Sequence, residues 1–261
     1  MLDKFRAAKA AEIAYLQQLD EDEQFPEPFT GFRPSFSFAL LQKKNIAVIA
    51  EYKRASPSKG EINTSLSPGQ VAAMYAEHGA AALSVLTEET YFKGNIEYLE
   101  HMAVVGLPLL RKDFILDPVQ VAHTATTRAS AVLFIARMFN DAEELSILLD
   151  LAKELGLESV VEVFSESDLA LAREAGGWII QVNNRDLDTL QTDLNISAQL
   201  IPEKKSNEVW ISASGIETAE ELTLVRDLGY NAALVGTSLM KAKDPGLALG
   251  KLILGATVEE D

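Results

Sequence analysis

The chain has 261 residues, enough for one large α/β domain or two small ones, and 48% of them are hydrophobic, so a sizeable core can form. The balance of 23 basic against 39 acidic residues, net −16, argues against nucleic acid or an anionic membrane as partner, and an anionic ligand would need a local basic cluster. Cysteine is absent, which removes disulfides, thiolate nucleophiles and Cys-ligated zinc and fits a reducing cytosol.

Residues 2–19 read as a helix, charged and amphipathic, without the apolar stretch of a secretion signal. An acidic, Pro-containing linker follows over 20–28. From position 46 onward, short β-rich apolar runs alternate with longer helical patterns. Strands are predicted at 46–52, 82–86, 108–112, 131–136, 159–163, 178–183, 208–212 and 232–236. Helices are predicted near 68–79, 95–104, 117–128, 141–156, 166–175, 194–201, 217–229 and 244–254. The helix over 141–156 shows the pattern best. Leu145, Leu148, Leu149, Ala152 and Leu155 form one apolar stripe, and Gly156 stops it. Several strands are apolar on both faces, as in Ala-Val-Leu-Phe-Ile over 131–135, which marks a parallel sheet covered on both sides.

Eight strand–helix units predict an α/β fold, a closed (β/α)8 TIM barrel with an extra N-terminal helix. The expected organisation is a single barrel domain over 1–261, with 1–45 a helical extension and 46–255 the barrel. A doubly wound open sheet is the alternative, but it usually carries a Gly-rich nucleotide fingerprint, and no G-x-G-x-x-G occurs here. No apolar run reaches the ~20 residues of a membrane span. The expected location is the cytoplasm.

On a barrel the chemistry sits where strands end. Strand one ends in Glu51 and Lys53, which share a face with Ala47 and Ile49. If that face looks inward, an unpaired charge there would cost several kcal/mol, so a carboxylate and an ammonium at its mouth suggest a site. A structural ion pair closing the barrel end is the plainer alternative. Strand three ends in Arg111, Lys112 and Asp113, strand five in Glu162, and strand six in Asn183, Asn184 and Arg185. Lys112 with Asp113, or Arg185 with Asp186, could also be simple charge pairs. Arg54, Lys59 and Arg111 read as solvated or steering charges. On the last two loops, Ser214-Gly215 and Gly236-Thr237 place small residues just before helices, a common phosphate cradle on this fold. His78, His101 and His123 lie in helical segments without metal-ligand spacing.

These residues resemble the indole-3-glycerol phosphate synthase family of tryptophan biosynthesis. The resemblance runs over nearly the whole chain. It rests on Ile49–Gly60, Ala82–Gly94, Pro108–Gln120, the Val-Glu-Val of 161–163, the Val-Asn-Asn-Arg-Asp-Leu of 182–187, Ser-Gly-Ile at 214–216 and Val235–Met240. It implies a carbon–carbon lyase that closes 1-(2-carboxyphenylamino)-1-deoxyribulose 5-phosphate to an indole, losing carbon dioxide and water. Lys112 is implied as general acid and Glu162 as general base. Glu51 and Lys53 would tune and relay protons, Asn183 would hydrogen-bond a substrate hydroxyl, and Arg185 would orient the polar end. Ser56, Ser214, Gly215, Gly236 and Thr237 would hold phosphate; Phe92, Phe114, Leu133 and Leu187 would wall in the aromatic ring. No metal or organic cofactor is implied. The partner is a small phosphorylated substrate, on a monomer or weak homodimer open to association with other tryptophan-pathway enzymes.

The sequence departs from the family's pattern at three places: Ala213 stands where Glu is usual, Phe164 where His is common, and Gln181 where Gly is common. Two other functions therefore compete with the lyase. One is isomerisation of a phosphorylated sugar amine, as in phosphoribosylanthranilate isomerase, which the absence of Cys weighs against. The other is a decayed barrel that binds a phosphorylated metabolite without turnover.

Overall fold

Apolar runs too short for a helix and covered on both faces are satisfied only in a sheet with helices outside and a second apolar layer inside. The computed structural model, which describes residues 2–43, 45–186 and 189–256, resolves this as a closed parallel TIM barrel. Its strands are β1 (Ala47–Tyr52), β2 (Ala82–Leu86), β3 (Leu109–Lys112), β4 (Ala131–Ile135), β5 (Glu158–Val163), β6 (Ile179–Asn183), β7 (Val209–Ala213) and β8 (Ala232–Val235). Neighbours in sequence pair in parallel, and β1 closes the ring against both β8 and β2. The strand predictions hold to within a residue at each end.

The helices are α1 (Leu2–Glu21), α2 (Phe36–Leu41), α3 (Pro68–Glu77), α4 (Tyr98–Met102), α5 (Pro118–Ala125), α6 (Ala142–Glu154), α7 (Glu166–Glu174), α8 (Asn195–Leu200), α9 (Ala219–Asp227), α10 (Thr237–Lys241) and α11 (Pro245–Gly255). Their starts are set by local chemistry. Ser67, Asp117 and Thr218 form capping boxes with Gln70, Gln120 and Glu221, while Asp141, Ser165 and Asp244 cap α6, α7 and α11. Gly156, at a φ of 73°, ends α6 where its stripe stops. Among the described residues, no helix is long and apolar enough to cross a membrane.

Three elements were not predicted: α2, α10 and a short hairpin pairing Ala55–Ser56 with Gly60–Glu61. Each is too short to show a period. The helix α2 is instead held by the start of β5. The Glu158 carboxylate accepts from Phe36 N–H at 2.5 Å, Ser37 N–H at 3.1 Å and the Ser35 hydroxyl at 3.0 Å. A carboxylate there is favoured by the positive end of the helix dipole.

Arg111 is not the solvated charge that the sequence suggested. Successive residues of β3 face opposite ways, so Lys112 looks into the barrel while Arg111 points outward under α1 and is 1% exposed. There it donates to Asp113 Oδ2 and to Glu12 Oε1, at 3.1 and 3.2 Å, and its Nε donates to Thr87 Oγ1 at 3.1 Å. Lys9 of α1 completes the network on Asp113 Oδ1 at 2.9 Å and on Glu12. Burial alone would raise the Asp113 pKa, but Arg111 and Lys9, with the Thr87 hydrogen bond, bring it down to about 2. Its ordinary value is 3.8, so its contribution to stability is present above that pH and disappears as pH falls through about 2.

Removing one partner from a buried ion network leaves the others uncompensated. Lys9→Ala is expected to lower the free energy of unfolding in urea by about 3 kcal/mol at neutral pH. An unchanged midpoint and slope would contradict this account of how α1 is docked.

Candidate active site

Inward-facing residues at the C-terminal ends of β1, β3 and β5 carry the charges. Glu51 lies near the end of β1, 1% exposed, and Lys53 follows the strand on the same side. Lys53 Nζ sits 2.5 Å from Glu51 Oε1, and Lys112 Nζ 3.7 Å from Glu51 Oε2. Lys112 also lies 3.6 Å from Glu162 Oε2 on β5. One carboxylate thus separates two ammonium groups, and the second ammonium faces another carboxylate. Burial alone would raise the Glu51 pKa; Lys53 and Lys112 outweigh it and, with hydrogen bonds from Lys53 and Ser84, hold it below the usual carboxylate range. Glu51 is ionised at neutral pH, and the cluster carries compensating charge.

This geometry depends on Gly236. A Cβ there would collide with Glu51 Oε1 and press on its Cβ at 3.0 Å, so a side chain at position 236 would displace the carboxylate. Glycine at this strand end is therefore required by Glu51 whether or not a phosphate binds.

Two adjoining hollows at this end of the barrel share Lys53, Lys112, Arg185, Ser214 and Thr237. The first also takes Ser56, Phe92, Phe114, Leu133, Glu162 and Asn183; the second takes Glu51, Gly215 and Gly236. Every site residue expected from sequence lines this cavity except Leu187, which lies outside the described residues. The polar end is formed by the loops after β7 and β8. Ser214 and Gly215 have φ of 70° and 82°, consecutive left-handed residues, and a Cβ on Gly215 would press on Thr192 Cγ2 at 2.5 Å. Arg185 donates from Nη1 to the Leu190 carbonyl at 2.8 Å, which braces its own loop, while still lining both hollows. Asn183 Oδ1 accepts from Arg185 N–H at 3.0 Å.

The apolar end holds residues that sequence reasoning missed. Phe5 of α1 stacks on Phe114, centroids 4.1 Å apart and planes 12° off parallel, and also lines the cavity. The signal was present in α1, where Phe5, Lys9 and Leu16 are the buried residues and share one stripe. Glu88 is also buried; its carboxylate accepts from the backbone N–H groups of Thr90, Tyr91 and Phe92, at 2.9, 2.7 and 3.0 Å, and so fixes the loop that presents Phe92.

Asn184 was given no role from sequence, yet it organises the polar loop. Fully buried, it donates from Nδ2 to Ser212 Oγ and to the carbonyls of Ala213 and Ser214, each at 3.0 Å. Its Oδ1 accepts from Ser197 N–H and Oγ. Of the departures from the family pattern, Ala213 is 1% exposed and is the register partner of Asn183, inside the barrel. Gln181 donates to Glu162 Oε2 at 2.5 Å. Phe164 lies beneath the Arg137 guanidinium, 4.0 Å from ring centroid to Cζ, outside the cavity lining.

Comparison with known proteins gives this site a family. The family model for indole-3-glycerol phosphate synthase matches residues 2–252. The chain is 45% identical to the indole-3-glycerol phosphate synthase of Carboxydothermus hydrogenoformans, over 82% of this chain and 83% of that one. It is 40% identical to the Shouchella clausii enzyme over the full length of both, and 39% identical to that of Aquifex aeolicus over 97% and 98%. Among solved structures, 3-hexulose-6-phosphate synthase from Salmonella typhimurium superposes with a TM-score of 0.63 at 13% identity, covering 81% of this chain and all of that one; this likeness is one of fold.

Asn184→Ala would take from the buried Ser197 N–H its acceptor and from the Ser214 carbonyl its donor, while the Ser197 and Ser212 hydroxyls keep each other and the Ala213 carbonyl keeps the residue 184 N–H. We expect a loss of about 2 kcal/mol in stability and, because the polar loop is loosened, inorganic phosphate bound about tenfold more weakly by calorimetry. Unchanged phosphate affinity would show that Asn184 does not organise the loop for anions.

Proposed function

The chain belongs to the indole-3-glycerol phosphate synthase family, carboxy-lyases of tryptophan biosynthesis, and from that premise we propose how its side chains divide the work. The reaction closes 1-(2-carboxyphenylamino)-1-deoxyribulose 5-phosphate to indole-3-glycerol phosphate, with loss of carbon dioxide and water. Its substrate carries two negative groups into a protein of net charge −16, so local cations must outweigh the overall field. Lys53, Lys112 and Arg185 supply them at the cavity.

The phosphate is held at the polar end by Ser56, Ser214, Gly215, Gly236 and Thr237. The aryl ring lies between Phe92, Phe114 and Leu133, with Phe5 extending the wall. In the first step, the ring carbon that bears the carboxylate bonds to the ketone carbon, and the carbonyl π pair moves onto oxygen. Lys112 protonates that oxygen as general acid. Carbon dioxide then departs from the ring carbon that formed the new bond, and the bonding pair it leaves restores the aromatic sextet. In the last step Glu162, as general base, takes a proton from the CH2 carbon beside the ring nitrogen; that C–H pair forms the new ring double bond as the C–O bond breaks and the hydroxyl leaves as water, protonated through the Lys53–Glu51–Lys112 chain. Asn183 and Arg185 orient the sugar hydroxyls during these steps.

The observation that carries this assignment is the position of Lys112 Nζ, 3.7 Å from Glu51 and 3.6 Å from Glu162 within one cavity. An acid that must give up a proton and a base that must take one are close enough to act on a single bound molecule. The cavity is apolar at one end and polar at the other, matching a substrate with an aryl ring and a phosphate at opposite ends.

Lys112→Met keeps the length of the side chain and removes its proton. Its kcat, followed by the fluorescence of the indole product, is expected to fall by about 10²–10⁴-fold, with substrate still bound. Turnover within a few-fold of the parent enzyme would refute Lys112 as the acid.

A further inference from the structure

One buried polar side chain with no part in the steps above touches the carboxylate assigned as base. Gln181 of β6 is the register partner of Glu162 on β5, and it is fully buried in the barrel interior. Its Nε2 donates to Glu162 Oε2 at 2.5 Å. Its other amide atom, Oε1, is buried without a hydrogen-bond partner among the described residues. The inward-facing neighbours Ile179 and Ile211 are apolar and fully buried. A half-satisfied amide in such a layer is destabilising relative to an apolar side chain of the same size. Local rules broken in this way concentrate at functional sites.

The chemistry at Glu162 gives the amide a use. The groups facing this carboxylate are Lys112 from β3, with Glu51 of β1 and Lys53 just after it beyond, and Gln181 from β6. Lys112 is a charged donor that changes state when it gives up its proton. Gln181 is a neutral donor that keeps its hydrogens, so it holds the carboxylate in one orientation through the whole cycle. Once Glu162 has taken a proton it becomes a donor, and an amide turned by 180° presents Oε1 to accept from it. One side chain therefore matches both states of the base.

We propose that Gln181 is a positioning residue for Glu162, aiming the carboxylate at the proton it removes and accommodating the acid form by rotation of its amide. The inference rests on the reading of Glu162 as general base. No substrate contact is assigned to Gln181 itself.

The test pairs Gln181→Met and Gln181→Leu, which fill the space without a donor, with Glu162→Gln. For both Gln181 variants kcat is expected to fall by about 10- to 100-fold, with KM within about threefold of the parent and Tm no lower, because an unpartnered acceptor has been removed. That combination separates positioning from a structural role. A kcat equal to the parent's in both variants overturns the proposal, and so does a loss of activity accompanied by a matching drop in Tm in both. If Glu162→Gln turns over like the parent, the base assignment fails and this inference falls with it. If Glu162→Gln is inactive while the Gln181 variants are fully active, only the positioning role is lost.

Discussion

The buried carboxylate of Glu51 is the constraint on which the site depends. An ionised acid at 1% exposure is destabilising unless it is paired, and here two ammonium groups pair with it from β1 and β3. The same pairing fixes where Lys53 and Lys112 point. Ser84 adds a weak hydrogen bond at 3.4 Å, and Gly236 leaves the space that the carboxylate fills. Without Glu51, two lysines would repel each other across the mouth of the barrel, and nothing else described would draw Lys112 toward the β1 side. Lys112 is thus held between two buried carboxylates, Glu51 on the β1 side and Glu162 on β5.

A second charge network lies on the other side of the same strand. The alternation of β3 sends Lys112 inward and Arg111 outward, and Asp113 joins Arg111 and Lys9 behind the wall. That network docks α1, which carries Phe5 against Phe114 at the apolar end of the cavity. The helix that precedes the barrel thus contributes to the apolar end of the cavity, and its contribution depends on buried ion pairs one residue away from Lys112.

Much of the fold was legible because its signals are local. Strands apolar on both faces, and Ser, Thr or Asp immediately before α3, α5, α6, α7, α9 and α11, place the barrel elements to within a few residues. The short helices α2 and α10 show no period, and α2 is set by a tertiary contact in which Glu158 gathers the N–H groups at its start. Within the site, residues that end strands were legible because the fold itself says where chemistry collects. Residues that act across strands were not. Phe5 requires knowing where α1 docks, Asn184 requires the loop that it holds, and the pairing of Gln181 with Glu162 requires the sheet register. Arg111 was misjudged because charge alone does not say which face of a strand is covered by an extra helix.

The account stands or falls on Glu51 as the organiser of the two lysines. Glu51→Gln retains the shape and one acceptor oxygen while removing the charge, so the single-turnover rate of this variant at saturating substrate is the most direct measurement. A fall of at least about 100-fold in that rate, with substrate still binding, is the predicted result. A rate equal to that of the unaltered enzyme would contradict it, because the lysines would then be placed by something other than the buried carboxylate.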